Sequence, residues 1–226
     1  MNLDRKKLLI FDFDGTLIDS VPDLADAANS MLSQLGKPTY PLATVQEWIG
    51  NGARVLVERA LSGSVEIDPN LASVDVEAAE RLFFEAYAAH DTSKTTAYPD
   101  VDAGLKQLSN AGFTLALVTN KPIRFVPDIL ASLGWTPYFS MVLGGDSLAV
   151  KKPDPAPLLH VCKTLEFDIS QATMIGDSIN DIQAGKRANI DTIGLSYGYN
   201  YGRDIRDSQP NQTFDNFKAL LDWLLR

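Results

Sequence analysis

The sequence predicts an α/β fold with a parallel-sheet core and an inserted all-helical segment. Residues 8–13 form a short apolar run of strand length, and from about residue 100 onward such runs alternate with helical patterns. Alternation of this kind favours a parallel sheet with helices on its faces. Residues 16–95 break the alternation, because they show helical periodicity without a convincing strand. The simplest arrangement is a helical lobe inserted after the first strand.

The strand candidates are short and largely apolar. Residues 8–13 (LLIFDF) lie between a charged head and Gly15, which is typical of a buried parallel strand. The pattern recurs at residues 114–119 and 173–175, and more weakly at 141–143 and 192–195. Helical periodicity follows at residues 101–111, 122–133, 156–165, 179–188 and 214–225.

Three further helices are predicted within the insertion, at residues 23–35, 53–61 and 76–89. We therefore expect two domains. The sheet domain is discontinuous and comprises residues 1–15 and 96–226, and the helical domain comprises residues 16–95.

Composition and charge exclude several classes of partner. The 226 residues are 45% hydrophobic and 22% charged, which is typical of a globular chain with a sizeable core. The formal net charge is −9, so no global basic field would attract nucleic acid or an anionic membrane surface. No stretch approaches the roughly 18 apolar residues of a membrane helix. An anionic substrate would have to be attracted by a local cluster or a bound cation.

The cysteine and histidine content excludes other chemistries. The single cysteine, Cys162, cannot form an internal disulfide, which favours a cytoplasmic location. His90 and His160 lie far apart without a metal-ligand pattern, and Asp168 stands where a cysteine phosphatase would need its arginine. No Walker loop is present. Polyhistidine metal sites and thiol catalysis are therefore not expected.

Polar side chains follow the ends of several predicted strands. In a parallel sheet these ends share one edge, where ligands bind. Each residue also has an ordinary structural interpretation as a helix cap, a turn or a surface loop. Their coincidence at one edge favours a functional site, and the residues concerned are Asp12, Asp14, Thr119, Asn120, Lys152, Asp177 and Asp181.

Four segments resemble the motifs of the haloacid dehalogenase-like hydrolases: residues 12–20 (DFDGTLIDS), 118–120 (VTN), 152–155 (KPDP) and 175–181 (IGDSIND). Within that superfamily the chain is similar to bacterial phosphoglycolate phosphatases, through residues 48–61 (WIGNGARVLVERAL), 121–122 (KP) and 197–202 (YGYNYG). The resemblance covers nearly the whole chain. It implies a Rossmann-like core with a helical cap domain, and hydrolysis of 2-phosphoglycolate to glycolate and phosphate. One mild departure is Phe13, where leucine or methionine is more usual; its side chain is expected in the core.

The residue types also suit hydrolysis of a small anionic phosphomonoester. Asp12 is placed to attack phosphorus and form an aspartyl-phosphate. Asp14 would protonate the leaving oxygen and then deprotonate the attacking water. Two close carboxylates facing an anion need a cation, so the acidic residues predict Mg²⁺.

The resemblance implies specific roles for the remaining residues. The carboxylates of Asp12 and Asp177 and the backbone carbonyl of Asp14 would hold Mg²⁺, with Asp181 outside the ligand set. Phosphate oxygens would be bound by Lys152, the Thr119 hydroxyl and the Asn120 backbone amide, and Lys152 would also pair with Asp12.

Recognition of the rest of the substrate is expected to fall to the helical lobe. The first candidate is the glycine-rich segment Gly50, Asn51, Gly52, Ala53 and Arg54, where backbone amides and one cation would meet a carboxylate. An ordinary glycine turn with a solvated Arg54 explains the same residues. Lys121 is the second candidate.

Other functions remain open at this stage. A phosphosugar mutase or a phosphatase of another small metabolite would share the core residues, whereas a carbon-halogen dehalogenase has no need of Asp14. A phospho-accepting regulator that does not turn over is a remote alternative. Both a monomer and a homodimer fit the composition.

Overall fold

The computed structural model describes residues 6–89 and 93–226, so His90 lies outside the described residues. A six-stranded sheet forms the centre of the molecule. The strands of the chain are β1 (Leu8–Phe11), β2 (Ile18–Asp19), β3 (Thr96–Ala97), β4 (Thr114–Val118), β5 (Phe139–Leu143), β6 (Ala172–Gly176), β7 (Asp191–Leu195) and β8 (Gln212–Phe214). The helices are α1 (Val21–Gln34), α2 (Leu42–Gln46), α3 (Ala53–Ser62), α4 (Ser73–Ala89), α5 (Val101–Asn110), α6 (Val126–Ser132), α7 (Ala156–Thr164), α8 (Ile179–Arg187) and α9 (Phe217–Leu224).

The large sheet has the strand order β5-β4-β1-β6-β7-β8, and all its pairs are parallel. Strand β1 lies between β4 and β6, and its four residues are fully buried. Phe11 is in register with Leu117 and with Ile175. Three strands therefore end side by side, and the residues after them meet at one edge. The predicted α/β fold is confirmed.

Side chains of the sheet alternate between two hydrophobic cores, as the period of a strand requires. Leu9 and Phe11 face one core, which also contains residues of α5 and α9. Leu8 and Ile10 face the other, together with residues of α7 and α8. Phe13 is fully buried in the first core, as predicted. Continuous burial on both faces explains why β1 is an unbroken apolar run.

Helices α1 to α4 surround a core of their own. Met31, Trp48, Phe83 and Tyr87 are buried in it. The chain enters and leaves this helical part through β2 and β3, which pair antiparallel with Ile18 opposite Ala97. The division into domains of residues 1–15 with 96–226 and 16–95 stays a prediction.

Several short elements were not predicted. Helix α2 has five residues, and β2, β3 and β8 have two or three each, so none is long enough to display a periodicity. The predicted helix at 122–133 is a 3₁₀ turn, Ile123–Phe125, followed by α6, which has a proline in its first turn. Within the described residues, the helices lack the combination of length and hydropathy that crossing a membrane would require.

Candidate active site

The edge of the sheet gathers side chains from three neighbouring strands. Asp12 directly follows β1, and its backbone N–H donates to the carbonyl of Ile175 at 2.9 Å. The N–H of Thr119, directly after β4, donates to the carbonyl of Leu143 at 3.0 Å. Asp177 directly follows β6. Backbone hydrogen bonds therefore fix the points from which Asp12 and Thr119 project, and the end of β6 fixes that of Asp177.

Lys152 lies between two of the carboxylates. Its Nζ is 2.9 Å from Oδ1 of Asp12 and 2.6 Å from Oδ1 of Asp181. The Asn120 side-chain amide donates to the Lys152 carbonyl at 3.0 Å, which anchors the loop that carries the lysine. The structure thus places Lys152 against Asp12, the residue expected to attack phosphorus.

Asp177 is buried and held from two sides. The Thr16 hydroxyl donates to its Oδ1 at 2.7 Å, and the Tyr199 backbone N–H donates to its Oδ2 at 2.8 Å. A side chain at Gly15 would clash, because an added Cβ would lie 2.9 Å or less from Cγ and from both oxygens of this carboxylate. Gly15 also has a φ of +87°, which favours glycine. The motif glycine therefore makes room for Asp177.

Asp181 lies in the first turn of α8 and serves two purposes. Its Oδ2 accepts from the backbone N–H of Ser178 at 3.0 Å and from the Ser178 hydroxyl at 2.8 Å. This reciprocal capping box stabilises the start of α8. Its other oxygen accepts from Lys152. The carboxylate therefore orients the lysine and caps the helix.

The electrostatics of this cluster favour a cation. Carboxylate oxygens of Asp12, Asp177 and Asp181 all lie within 4.8 Å of one another. Burial, followed by the charge of Asp181, raises the pKa of Asp12 well above its usual value and that of Asp177 to about 7. When ionised, the three carboxylates carry more negative charge than the ammonium of Lys152 neutralises. Hard oxygen ligands in this arrangement fit Mg²⁺.

Asp14 turns away from this cluster. Its Oδ1 accepts from the Ser20 hydroxyl at 2.5 Å and from Lys121 Nζ at 2.9 Å. Lys121 is buried, and its Nζ lies 4.9 Å from the centre of the Tyr87 ring. Burial opposes the charged form of Lys121, but Asp14 and Tyr87 outweigh it, so the pKa of Lys121 is raised and the ammonium persists.

A cavity opens between the sheet edge and the helical part. Asp12, Asp14, Thr119, Asn120 and Lys121 line its floor. The rest of the lining is mostly apolar and includes Leu24, Ile49, Leu56, Phe83, Phe84, Tyr87, Pro122 and Phe125. Among the described residues that line the cavity, Lys121 is the only one with a cationic side chain.

The glycine-rich segment of the helical part lies against this floor. The Gly50 carbonyl accepts from the side-chain amides of Asn120 at 3.2 Å and Asn180 at 3.1 Å. Gly50 and Gly52 line the cavity, whereas Asn51 and Arg54 are not among its lining residues. Arg54 instead lies 3.3 Å from Glu58 and 3.6 Å from Glu80, with its side chain 43% exposed. The structure does not bring Arg54 to the floor, and its proposed contact with substrate stays a prediction.

Comparison with known proteins identifies the family. The sequence pattern described as haloacid dehalogenase-like hydrolase matches residues 9–195. The chain belongs to this family. A phosphoglycolate phosphatase of Psychrobacter arcticus is 64% identical over 222 residues, which are 98% of this chain and 96% of that protein. A phosphoglycolate phosphatase of Colwellia psychrerythraea is 49% identical over 226 residues and 100% of both chains.

A solved structure supports the same family assignment. The crystal structure of a predicted phosphoglycolate phosphatase from Haemophilus somnus matches with a TM-score of 0.90 and 39% identity. The match covers 97% of this hydrolase and 98% of the other chain. The resemblance inferred from the sequence motifs is confirmed.

Some residues of this hydrolase that contact the site were not identified from sequence. Ser20 ends the first motif, and Tyr199 lies in the tyrosine-rich segment, residues 197–202. Both therefore belong to segments that carried the resemblance. Tyr87 and most of the apolar lining come from α1, α3 and α4, where they follow the ordinary periodicity of core residues. Only the folded arrangement distinguishes these positions from the interior of the helical part.

Proposed function

We propose that this hydrolase converts 2-phosphoglycolate to glycolate and phosphate with Mg²⁺ as its cofactor. The observation that carries the substrate assignment is the position of Lys121, a buried ammonium beside Asp14 in a largely apolar cavity. The relatives named above as phosphoglycolate phosphatases support the same substrate. A cytoplasmic location fits the single buried cysteine, Cys162.

The chemistry uses residues at the sheet edge. An Asp12 oxygen attacks phosphorus while the bond to the substrate's alkoxide oxygen breaks, and Asp14 gives that oxygen its proton. Water then attacks the aspartyl-phosphate and gives a proton to Asp14, which frees phosphate and restores Asp12. Lys152, the Thr119 hydroxyl and the Asn120 backbone amide bind the phosphate oxygens.

Mg²⁺ would be held by the carboxylates of Asp12 and Asp177 and by the backbone carbonyl of Asp14. When bound, it neutralises charge on the transferring phosphoryl group. The chain's own part is to keep these carboxylates in place, through Thr16 and the Tyr199 amide at Asp177 and through Lys152 at Asp12.

Specificity follows from what the cavity offers. Phosphoglycolate carries one carboxylate two carbons from its phosphate, and Lys121 supplies a charge-assisted partner for it. A sugar phosphate would place several hydroxyls against Leu24, Leu56 and Phe83, where each unpaired buried hydroxyl costs roughly 1–3 kcal/mol. The cavity therefore favours a short acid over a phosphosugar, which disfavours the mutase alternative.

The first experiment measures release of inorganic phosphate with Mg²⁺ present and with the metal chelated. The panel contains 2-phosphoglycolate, ethyl phosphate, which lacks the carboxylate, and glucose 6-phosphate. We expect Mg²⁺-dependent release that is fastest from 2-phosphoglycolate. Retained phosphate would indicate a mutase, absence of turnover a phospho-acceptor, and a preference for the sugar a different metabolite phosphatase.

The second experiment tests Lys121 through a ratio of substrates. Lys121→Met should lower the preference for 2-phosphoglycolate over ethyl phosphate about tenfold or more. Using the ratio cancels any effect of Lys121 on Asp14, because both substrates need Asp14. Arg54→Ala distinguishes the other candidate: the geometry favours an unchanged ratio, whereas a reduced ratio would return the carboxylate contact to Arg54.

A further inference from the structure

No side chain of the tyrosine-rich segment after β7 (residues 197–202) has a role in the chemistry given above, yet the segment contacts both halves of the site. Tyr197 donates its hydroxyl to the Thr16 carbonyl at 2.6 Å. The Tyr201 hydroxyl accepts from the Asn180 side chain at 2.7 Å. Tyr199 lies between them and is buried. The segment therefore lies along the connection that leads from the sheet into the helical part.

Tyr199 makes its contacts through both its backbone and its hydroxyl. Its backbone N–H donates to Asp177 Oδ2 at 2.8 Å. Its hydroxyl donates to Asp19 Oδ1 at 3.0 Å and accepts from the backbone N–H of Ser20 at 3.0 Å. Burial raises the pKa of Tyr199 well above its usual value, so the hydroxyl stays a donor. One residue thus spans from the predicted metal ligand to the start of α1.

Ser20 continues this chain of contacts to Asp14. It is fully buried and immediately precedes α1, and its hydroxyl donates to Asp14 Oδ1 at 2.5 Å. Tyr199 fixes the backbone of Ser20, and the Ser20 side chain fixes the Asp14 carboxylate. An unbroken path therefore runs from Asp177 through Tyr199 and Ser20 to Asp14.

We propose that the Tyr199 hydroxyl is a positioning group for proton transfer by Asp14, acting through Ser20. Asp14 must reach the leaving oxygen, and displacement of a catalytic group by about 1 Å is enough to cost about 100-fold in rate. The role rests on the proposed function, because it requires Asp14 to protonate the leaving group. It does not require the substrate to be phosphoglycolate.

The test compares two leaving groups in the first turnover. An alkoxide needs a proton as it leaves, whereas p-nitrophenolate is a stable anion that leaves without one. Tyr199→Phe removes the hydroxyl and keeps the ring. It should slow first-turnover release of the alcohol from 2-phosphoglycolate and ethyl phosphate about tenfold or more, and change release of p-nitrophenol less than about twofold. Equal losses on all three substrates would overturn the proposal.

Three further variants make the result specific. Ser20→Ala removes the next link and should reproduce the pattern of Tyr199→Phe, which also covers the case in which Tyr199→Phe fails to fold. The double variant should be no slower than either single one, since both act on the same path. Tyr197→Phe removes a neighbouring hydroxyl that contacts Thr16 instead and should show no dependence on the leaving group. Additive losses in the double variant, or the same pattern in Tyr197→Phe, would overturn the proposal.

Calorimetric titration with Mg²⁺ supplies a readout apart from turnover. Tyr199→Phe keeps the backbone N–H that contacts Asp177, so its Mg²⁺ dissociation constant should match that of the wild-type chain. Weaker Mg²⁺ binding would show that the side chain acts on the metal ligands, which are Asp177 and the Asp14 backbone carbonyl among others, and would overturn a role confined to the Asp14 carboxylate. A wild-type chain that releases phosphate from none of the three substrates would overturn the proposed function as well.

Discussion

Lys152 and Asp181 form an ion pair in which Nζ lies 2.6 Å from Oδ1 and both side chains are almost completely buried. The lysine comes from the loop between β5 and α7, and the aspartate comes from the first turn of α8. Asp181 therefore connects the loop that carries Lys152 to the start of α8, and it keeps the lysine's ammonium beside Asp12. Loss of Asp181 would leave the buried lysine with Asp12 as its remaining ion-pair partner, and loss of the lysine would leave Asp181 buried without its counter-charge.

Asp181→Ala should lower the free energy of unfolding by about 3 kcal/mol, because it leaves a buried lysine with one carboxylate fewer and removes a helix cap. Urea denaturation measures the change. The control is Asp222→Ala, which breaks an ion pair with Lys218 whose side chains are 60% and 62% exposed. Loss of that exposed pair should leave the urea midpoint unchanged. An equal shift in both variants would show that the buried pair has no special weight.

Asp12→Asn should abolish turnover while the fold stays intact. An amide is not a nucleophile toward phosphorus, so no aspartyl-phosphate forms. Because burial already raises the pKa of Asp12, a neutral side chain of the same shape should be tolerated there. Phosphate release and thermal unfolding are measured on the same preparation. Ordinary turnover by this variant would remove Asp12 as the nucleophile.

Asp177→Asn should lower the rate by about 100-fold or more and shift the Mg²⁺ titration to higher concentration. The N-cap of α8 is Ser178, so a capping role does not account for Asp177. Asp168→Asn is a matched control, because Asp168 is an exposed carboxylate that caps a 3₁₀ turn. An unchanged Mg²⁺ titration in Asp177→Asn would show that this residue is not a ligand.

Cys162 should take no part in the reaction. Burial, together with the charge of Asp168, raises the pKa of its thiol to about 11, so the thiol is protonated at pH 8. Iodoacetamide at pH 8 should leave the native enzyme unmodified and fully active, and should modify the chain once urea has unfolded it. Mass spectrometry reports the modification. Rapid labelling of the native enzyme with loss of activity would contradict this.

The sequence was sufficient for five of the six strands of the large sheet and for the residues at its edge. Asp12, Asp177 and Thr119 stand directly after apolar runs, so strand assignment alone places them together. Their partners across the cavity were harder to predict. The contact of Lys121 with Asp14 depends on how the chain turns after β4, and neither periodicity nor charge pattern encodes that turn.

The cavity wall shows a second limit of prediction from sequence. The start of helix α3 was predicted correctly at residue 53, and Arg54 lies in its first turn. The direction of that side chain, however, depends on which helix packs beside it. Helix α4 brings Glu80 within 3.6 Å, and the arginine turns toward it. Long-range helix packing decided this position, and it leaves little trace in one sequence.

Gly50, whose carbonyl accepts hydrogen bonds from Asn120 and Asn180, limits how hybrid enzymes can be built from two relatives. A side chain at Gly50 would place its Cβ 2.7 Å from the Tyr201 hydroxyl. A transplanted segment of residues 16–95 therefore docks only if it brings a glycine to this position or if Tyr201 is replaced with it. The smallest exchangeable module of this enzyme is thus discontinuous in sequence, and a library that recombines relatives should keep residues 50 and 201 from the same parent.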